Sequence, residues 1–145
     1  MNESTTHTVT VSGGFDPIHV GHIRMFKDAA RFGRLIVILN SDEWLIRKKG
    51  YIFMSFEERK EIIEALGCVS QVSEVDDTDL TVCEALDRLS PTFFANGGDR
   101  KSENVPEVEL CNKLGINLLW NVGGEKIQSS SDLVNSFDVG EDDVE

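Results

Sequence analysis

The amino-acid sequence predicts an α/β fold, a parallel sheet covered by helices on both faces. Short β-branched runs recur along the chain, the first two being TVTVS at 8–12 and LIVIL at 35–39. Between the runs lie segments with apolar residues at three- and four-residue spacing, the period of an amphipathic helix. Two glycines, Gly13 and Gly14, mark the turn from the first strand towards the first helix. Strands alternating with helices of this length imply βαβ units and a parallel sheet.

Taken in order, strands are expected at 8–12, 35–39, 69–75, 92–95 and 116–122. Helices are expected at 19–32, 56–66, 80–89 and Val105–Leu114. Ser55 followed three residues later by Glu58 is a capping-box pattern before the second helix. Gly67 and Gly115 stand where helix C-termini are expected. No internal repeat is evident. Residues 1–137 read as one domain, the size that one core favours at a length of 145 residues. The remaining eight, DVGEDDVE at 138–145, hold five acids and read as a solvated acidic tail.

Charge and cysteine usage narrow the function. The formal net charge is −12, which disfavours nucleic-acid and anionic-membrane surfaces as partners. No apolar run approaches the roughly 20 residues of a membrane span, and the opening MNESTTHTVT has no apolar signal core. Cys68, Cys83 and Cys111 are odd in number and far apart. They read as thiols in a reducing cytoplasm, not as a disulfide framework or a zinc ribbon.

The chemistry is expected in the segment 12–22, SGGFDPIHVGH. It joins the carboxyl end of a strand to the amino end of a helix, where unpaired N–H groups and the positive end of the helix dipole favour phosphate. His19 and His22 are three apart and share one face of the first helical turn. Gly21 removes a side chain where a ligand approaches the backbone. The alternatives for the pair are metal ligation, for which no third His or Cys stands nearby, and an incidental surface position.

The run from Gly13 to His22 resembles the signature G-x-F-D-x-x-H-x-G-H of the cytidylyltransferase-like nucleotidyltransferase superfamily. The resemblance extends from about residue 8 to about residue 134. LIVILNSD at 35–42 resembles the second strand and its loop. Lys48-Lys49-Gly50 resembles the lysine-bearing loop that reaches phosphate. Arg59 matches an arginine on the following helix. The block 95–100 (ANGGDR) resembles the segment after strand four, and Ser129-Ser130-Ser131 resembles the serine block at the last helix start.

The resemblance implies a doubly wound five-stranded sheet of order 3-2-1-4-5. Strands one and four would then flank the switch point where ligands of open α/β sheets bind. It implies catalytic roles for His19, His22, Lys48 and Arg59. Gly14, Phe15, Asp16, Gly21, Gly97, Gly98, Asp99, Ser129, Ser130 and Ser131 would bind the nucleotide. Asp16 would either orient a motif histidine or help hold magnesium. Mg²⁺ is expected with the nucleotide, with no metal site of the protein's own. The resemblance also implies a homodimer, with Tyr51, Ile52, Phe53, Met54 and Phe56 near its two-fold axis. Arg100 and Lys126 add positive charge near the same loops.

The implied reaction is in-line attack of a substrate phosphate oxygen on the α-phosphorus of a nucleoside triphosphate, releasing pyrophosphate. The acceptor is expected to be a sugar or polyol phosphate. Glycerol-phosphate cytidylyltransferases typically carry R-T-E-G-I-S-T before the last helix, where this chain reads NVGGEKIQS at 121–129. It also has Gly97-Gly98-Asp99 in place of G-D-D. These departures favour ATP over CTP and resemble the adenylyltransferase domain that makes ADP-heptose. The alternatives are a glycerol-3-phosphate-type cytidylyltransferase and a non-catalytic nucleotide-binding sensor. A flavin- or pantetheine-type adenylyltransferase is a nearer rival. A class I aminoacyl-tRNA synthetase is disfavoured, because 145 acidic-biased residues leave no room for tRNA.

Of the adjacent lysines only one is expected to serve the site, since neighbours in an extended segment point to opposite sides. Register counted back from Arg59 selects Lys48 without a gap; matching Lys-Gly selects Lys49 with one. Trp44 and Trp120 read as packing residues, His7 as a surface residue, and Asp76-Asp77-Thr78-Asp79 as a helix cap with no site role.

Overall fold

The computed structural model describes residues 7–97 and 105–124. Five strands, β1 (Thr8–Gly13), β2 (Arg34–Leu39), β3 (Gln71–Ser73), β4 (Phe93–Ala95) and β5 (Asn117–Leu119), form one sheet. All pairings are parallel and the order is β3-β2-β1-β4-β5, as the motif resemblance implied. Among the described residues five α-helices connect them, α1 (Val20–Ala29), α2 (Asp42–Lys49), α3 (Phe56–Glu64), α4 (Cys83–Leu89) and α5 (Val105–Leu114), with one 3-10 turn, Ala30–Phe32, after α1. Among the described residues no helix is long and apolar enough to cross a membrane.

Both sheet faces are buried, and the two-residue period of the strands divides the core between them. Val9, Val11, Leu35, Val37 and Leu39 pack with Phe26 and Ala29 of α1 and Ile63 of α3. Ile38 and Phe94 face the other way, against Ala85 and Leu86 of α4 and Cys111 of α5. Each such fully buried aliphatic side chain stabilises by about 1.5–3 kcal/mol. Thr10 is the polar exception on β1, and its hydroxyl donates to the Phe93 carbonyl at 3.2 Å.

β3 and β5 are shorter than the sequence suggests, with three residues each. Val75, beyond β3, and Val122, beyond β5, leave the ladder yet remain buried. Burial, not pairing, extended those apolar runs.

The expectation that Lys48 and Lys49 lie in an extended segment is corrected: they end α2. Ser41 caps the helix, its Oγ accepting from the Trp44 N–H at 3.0 Å. Asp42 and Glu43 occupy the first turn, Arg47, Lys48 and Lys49 the last, and Gly50 stops it at φ 90°. Charges so placed complement the helix dipole. Leu45 is the single buried residue, so no apolar periodicity announced the helix. At α3, Ser55 Oγ accepts from the Glu58 N–H at 3.3 Å, the first half of the expected capping box. The expected first turn of α4 is instead a non-helical turn with Leu80 at φ 70°.

The chain steps from β3 across β2 and β1 to β4, so the connections diverge between β1 and β4. Their carboxyl ends open the crevice used for ligands in such sheets.

Candidate active site

The loop after β1 is shaped by close packing. Phe15 adopts φ 51°, rare for a residue with a side chain, and is held by edge-to-face contacts. Its ring centre lies 4.8 Å from that of His22 and 5.1 Å from that of Phe26. A Cβ on Gly13 would sit 2.9 Å from the Phe15 ring, and one on Gly14 2.6 Å from Leu45 of α2. A side chain at either position would have to displace one of these packed rings or methyls.

The two motif histidines cap α1 reciprocally. His19 Nδ1 accepts from the Gly21 N–H at 3.1 Å, and His22 Nδ1 accepts from the His19 N–H at 3.2 Å. Their rings stack with centres 3.8 Å apart. With both Nδ1 atoms accepting, each neutral imidazole carries its proton on Nε2. The cap thus fixes both tautomers at one helix terminus, with His19 Nε2 itself buried.

Behind the loop, Arg59 is a clasp. Its side chain is 0% exposed, and its guanidinium donates to Met54 O (3.0 Å), Gly14 O (2.8 Å) and Asn40 O (2.9 Å). A fourth bond, 2.6 Å, runs to the Asp42 carboxylate. Arg59 was expected among the catalytic groups; four of its five N–H donors are committed to protein acceptors, so it ties the loops after β1 and β2 together from below. Asp16 has a related place. Its buried carboxylate accepts the Phe53 and Met54 N–H groups at 2.7 and 2.6 Å, which holds the 50–54 loop.

Lys49, not Lys48, meets the motif loop: its ammonium donates to Asp16 O at 2.7 Å and is half-buried. Lys48 is exposed, with its ammonium 5.6 Å from the centre of the Trp44 ring.

Sequence reasoning gave Asp77 no place in the site. It is buried beside the loop after β2, accepting from Asn40 Nδ2 (3.0 Å), Ser41 N–H (2.8 Å) and Ser41 Oγ (2.7 Å). Its neighbours Asp76 and Asp79 are exposed. Within a run of three acids, only burial distinguishes the one that turns inward.

Across the crevice, two glycine-bearing loops rest on α1. A Cβ on Gly97 would meet Met25 Sδ at 3.0 Å, and one on Gly123 would meet Met25 Cα at 2.9 Å. Asp28 accepts the Gly123 N–H at 2.8 Å. That bond, then the adjacent Arg31 guanidinium, holds the Asp28 carboxyl below its ordinary range. Gly98, Asp99, Arg100, Lys126, Ser129, Ser130 and Ser131 lie outside the described residues, as does the 138–145 tail.

Among the described residues no group of three or more His, Cys, Asp or Glu is arranged to hold a metal.

Comparison with known proteins agrees with this geometry. The cytidylyltransferase-like family model matches residues 10–132. The chain is 37% identical over 110 residues to bifunctional protein HldE of Syntrophotalea carbinolica, covering 74% of this chain and 22% of that protein. It is 34% identical over 137 residues to HldE of Geotalea uraniireducens, covering 91% of this chain and 27% of that one. The chain therefore spans about a quarter of the length of these curated relatives. Among solved structures, the lipopolysaccharide core biosynthesis protein of Thermoplasma volcanium superposes with a TM-score of 0.64 at 26% identity. That superposition covers 79% of this chain and 93% of the other. A match of this extent, on a sheet with the strand order that the signature implied, leads to one assignment: the chain belongs to the cytidylyltransferase-like family of nucleotidyltransferases.

Proposed function

We propose that the chain transfers a nucleoside monophosphate from a nucleoside triphosphate to a sugar phosphate, with ATP favoured over CTP. The observation that carries this reading is the reciprocal cap, which fixes Nε2–H on both His19 and His22 at an α-helix N-terminus beside the switch point. Neutral donors suit the reaction, because the attacking phosphate oxygen is already ionised and needs no strong base. The acceptor oxygen forms a bond to the α-phosphorus in line with the bond that breaks. Pyrophosphate leaves with that electron pair. Charge grows on the phosphate oxygens, where the histidine donors, the α1 amides and one lysine ammonium stabilise it.

Lys49 is the better placed of the two lysines, since its ammonium already sits on the motif loop. Arg59 and Asp16 act as supports of that loop. Gly97, Gly98, Asp99 and Ser129–Ser131 are the further residues proposed to bind the nucleotide. Magnesium supplies charge neutralisation on the phosphates when bound with the nucleotide.

The sugar-phosphate acceptor is supported by the HldE relatives and by the lipopolysaccharide core biosynthesis neighbour. Exposed Tyr51, Ile52 and Phe53, the last 61% exposed, support a homodimer through the 50–54 loop. Triphosphate chemistry and three free cysteines fit the cytoplasm.

The test is phosphate release in the presence of inorganic pyrophosphatase, with ATP or CTP and magnesium, across a panel of sugar and polyol phosphates. ATP with a sugar phosphate should turn over, and His22→Ala should lose at least ~100-fold in kcat. Turnover only with CTP and a polyol phosphate would favour the glycerol-3-phosphate type. No release with any pair would remove the transferase reading and favour a nucleotide-binding sensor.

A further inference from the structure

The loops after β2 and β3 are joined by one buried carboxylate. Asp77 is 4% exposed, and the Asn40 it contacts 1%. The two oxygens of Asp77 accept three hydrogen bonds, all from Asn40 and Ser41. Ser41 is the N-cap of α2, and its hydroxyl works in both directions. It donates to Asp77 Oδ1 at 2.7 Å and accepts from the Trp44 N–H at 3.0 Å. The bond to Asp77 turns the hydroxyl proton away from the helix, which leaves a lone pair aimed at the helix amide. Asp77 therefore fixes both the backbone and the capping oxygen at the start of α2.

Lys49 is the last residue of the same helix. An eight-residue helix is a rod of about 12 Å, so an error in the position or tilt of its first turn is carried to its end. The far end of this rod is where the Lys49 ammonium meets Asp16 O. Little else buries α2, since Leu45 is its single buried residue. Its placement depends on polar anchors, among them Asp77 through Ser41 and Arg59 through Asp42 at its first turn and the Arg47 guanidinium on Thr78 O nearer its end.

We propose, taking nucleotidyl transfer as the reaction, that Asp77 is a positioning residue that acts through Ser41 and α2 to set the Lys49 ammonium on the motif loop. A carboxylate is required because three donors converge on it. An asparagine at 77 has one acceptor oxygen and brings an N–H₂ group against donors.

Two measurements test this. The first is competitive amine labelling of the 145-residue chain with acetic anhydride, read lysine by lysine by peptide mass spectrometry. In the parent protein Lys49 should react more slowly than exposed Lys48. In Asp77→Asn that protection should be lost, while Lys27 and Lys113, both exposed and on other helices, keep their rates. Ser41→Ala, which removes only the hydroxyl relay, should lose part of the protection and serves where Asp77→Asn does not fold. Unchanged Lys49 protection in the folded variants overturns the proposal, whatever happens to thermal stability.

The second is a kinetic cycle below the unfolding temperatures. Asp77→Asn should lower kcat at least ~10-fold, and added to Lys49→Ala it should cost almost nothing more. A residue that merely stabilises the fold would give additive losses, and additive losses overturn the proposal. If the parent protein turns over no substrate pair, the transferase reading fails while the labelling still decides what Asp77 does to Lys49.

Discussion

Lys49 donates its ammonium to the carbonyl oxygen of Asp16 at 2.7 Å, joining the end of α2 to the loop after β1. The bond holds a positive charge where the motif loop turns towards α1. Lys48, one residue earlier, points to a different side of the helix and rests near Trp44. Adjacent residues on a helix are separated by about 100°. The geometry therefore separates the two lysines for a different reason than the extended segment that the sequence suggested.

Lys49→Ala is expected to lower kcat at least ~10-fold, a barrier change of ~1.4 kcal/mol, with less change in substrate binding. Lys48→Ala should change kcat by less than ~3-fold. Steady-state kinetics of the two variants side by side decide it. A larger loss in Lys48→Ala would restore the gap-free register counted back from Arg59.

Arg59→Ala should destabilise the fold by about 3–5 kcal/mol, because it leaves buried acceptors of three loops without their donor. The acceptors are Gly14 O, Asn40 O and Met54 O. Arg59→Lys should recover little of this, since an ammonium lacks the planar fork that reaches all of them. Urea denaturation measures both variants, and a loss below about 1 kcal/mol in Arg59→Ala would contradict the clasp.

Asp28 gives a pH signature. Its carboxyl is held below the ordinary value, first by the Gly123 N–H and then by Arg31. A folded-state pKa below the unfolded one stabilises at pH values above the unfolded pKa, and the stabilisation fades as pH falls through the folded one. The stability difference between the parent protein and Asp28→Asn should thus be full at pH 7 and shrink below about pH 4. Thermal unfolding of both across pH 3–7 reads it; a difference that grows on acidification would show the sign to be wrong.

Burial pushes the Cys111 thiol up to about 11 and also raises that of Cys83. At pH 8 only roughly 0.1% of Cys111 would be thiolate, the reactive form. Ellman's reagent should therefore leave Cys111 unmodified in the folded protein and modify it on unfolding. Rapid native labelling of Cys111, located by peptide mass spectrometry, would contradict its place in the core.

The strand and helix alternation, the parallel class and the position of the His19/His22 turn follow from sequence, because each rests on local periodicity or on residues adjacent in the chain. The resemblance carried by residues 13–22 then supplied the strand order that the structure shows. Helix α2 also left a trace in sequence, Ser41-Asp42-Glu43 at one end and Arg47-Lys48-Lys49-Gly50 at the other. That end chemistry has no apolar stripe beside it, because Leu45 is the helix's single buried residue. Tertiary structure alone decided that Asp77 turns inward while Asp76 and Asp79 face solvent, that Arg59 is a clasp, and that Lys49 reaches Asp16. The bonds from Lys49 to Asp16, Ser41 to Asp77 and Arg59 to Gly14 join residues 33, 36 and 45 positions apart. Many of their partners are backbone carbonyls and amides that every residue carries. A side chain's choice among such generic groups is set by which loops the sheet order brings together, and local sequence holds no record of it.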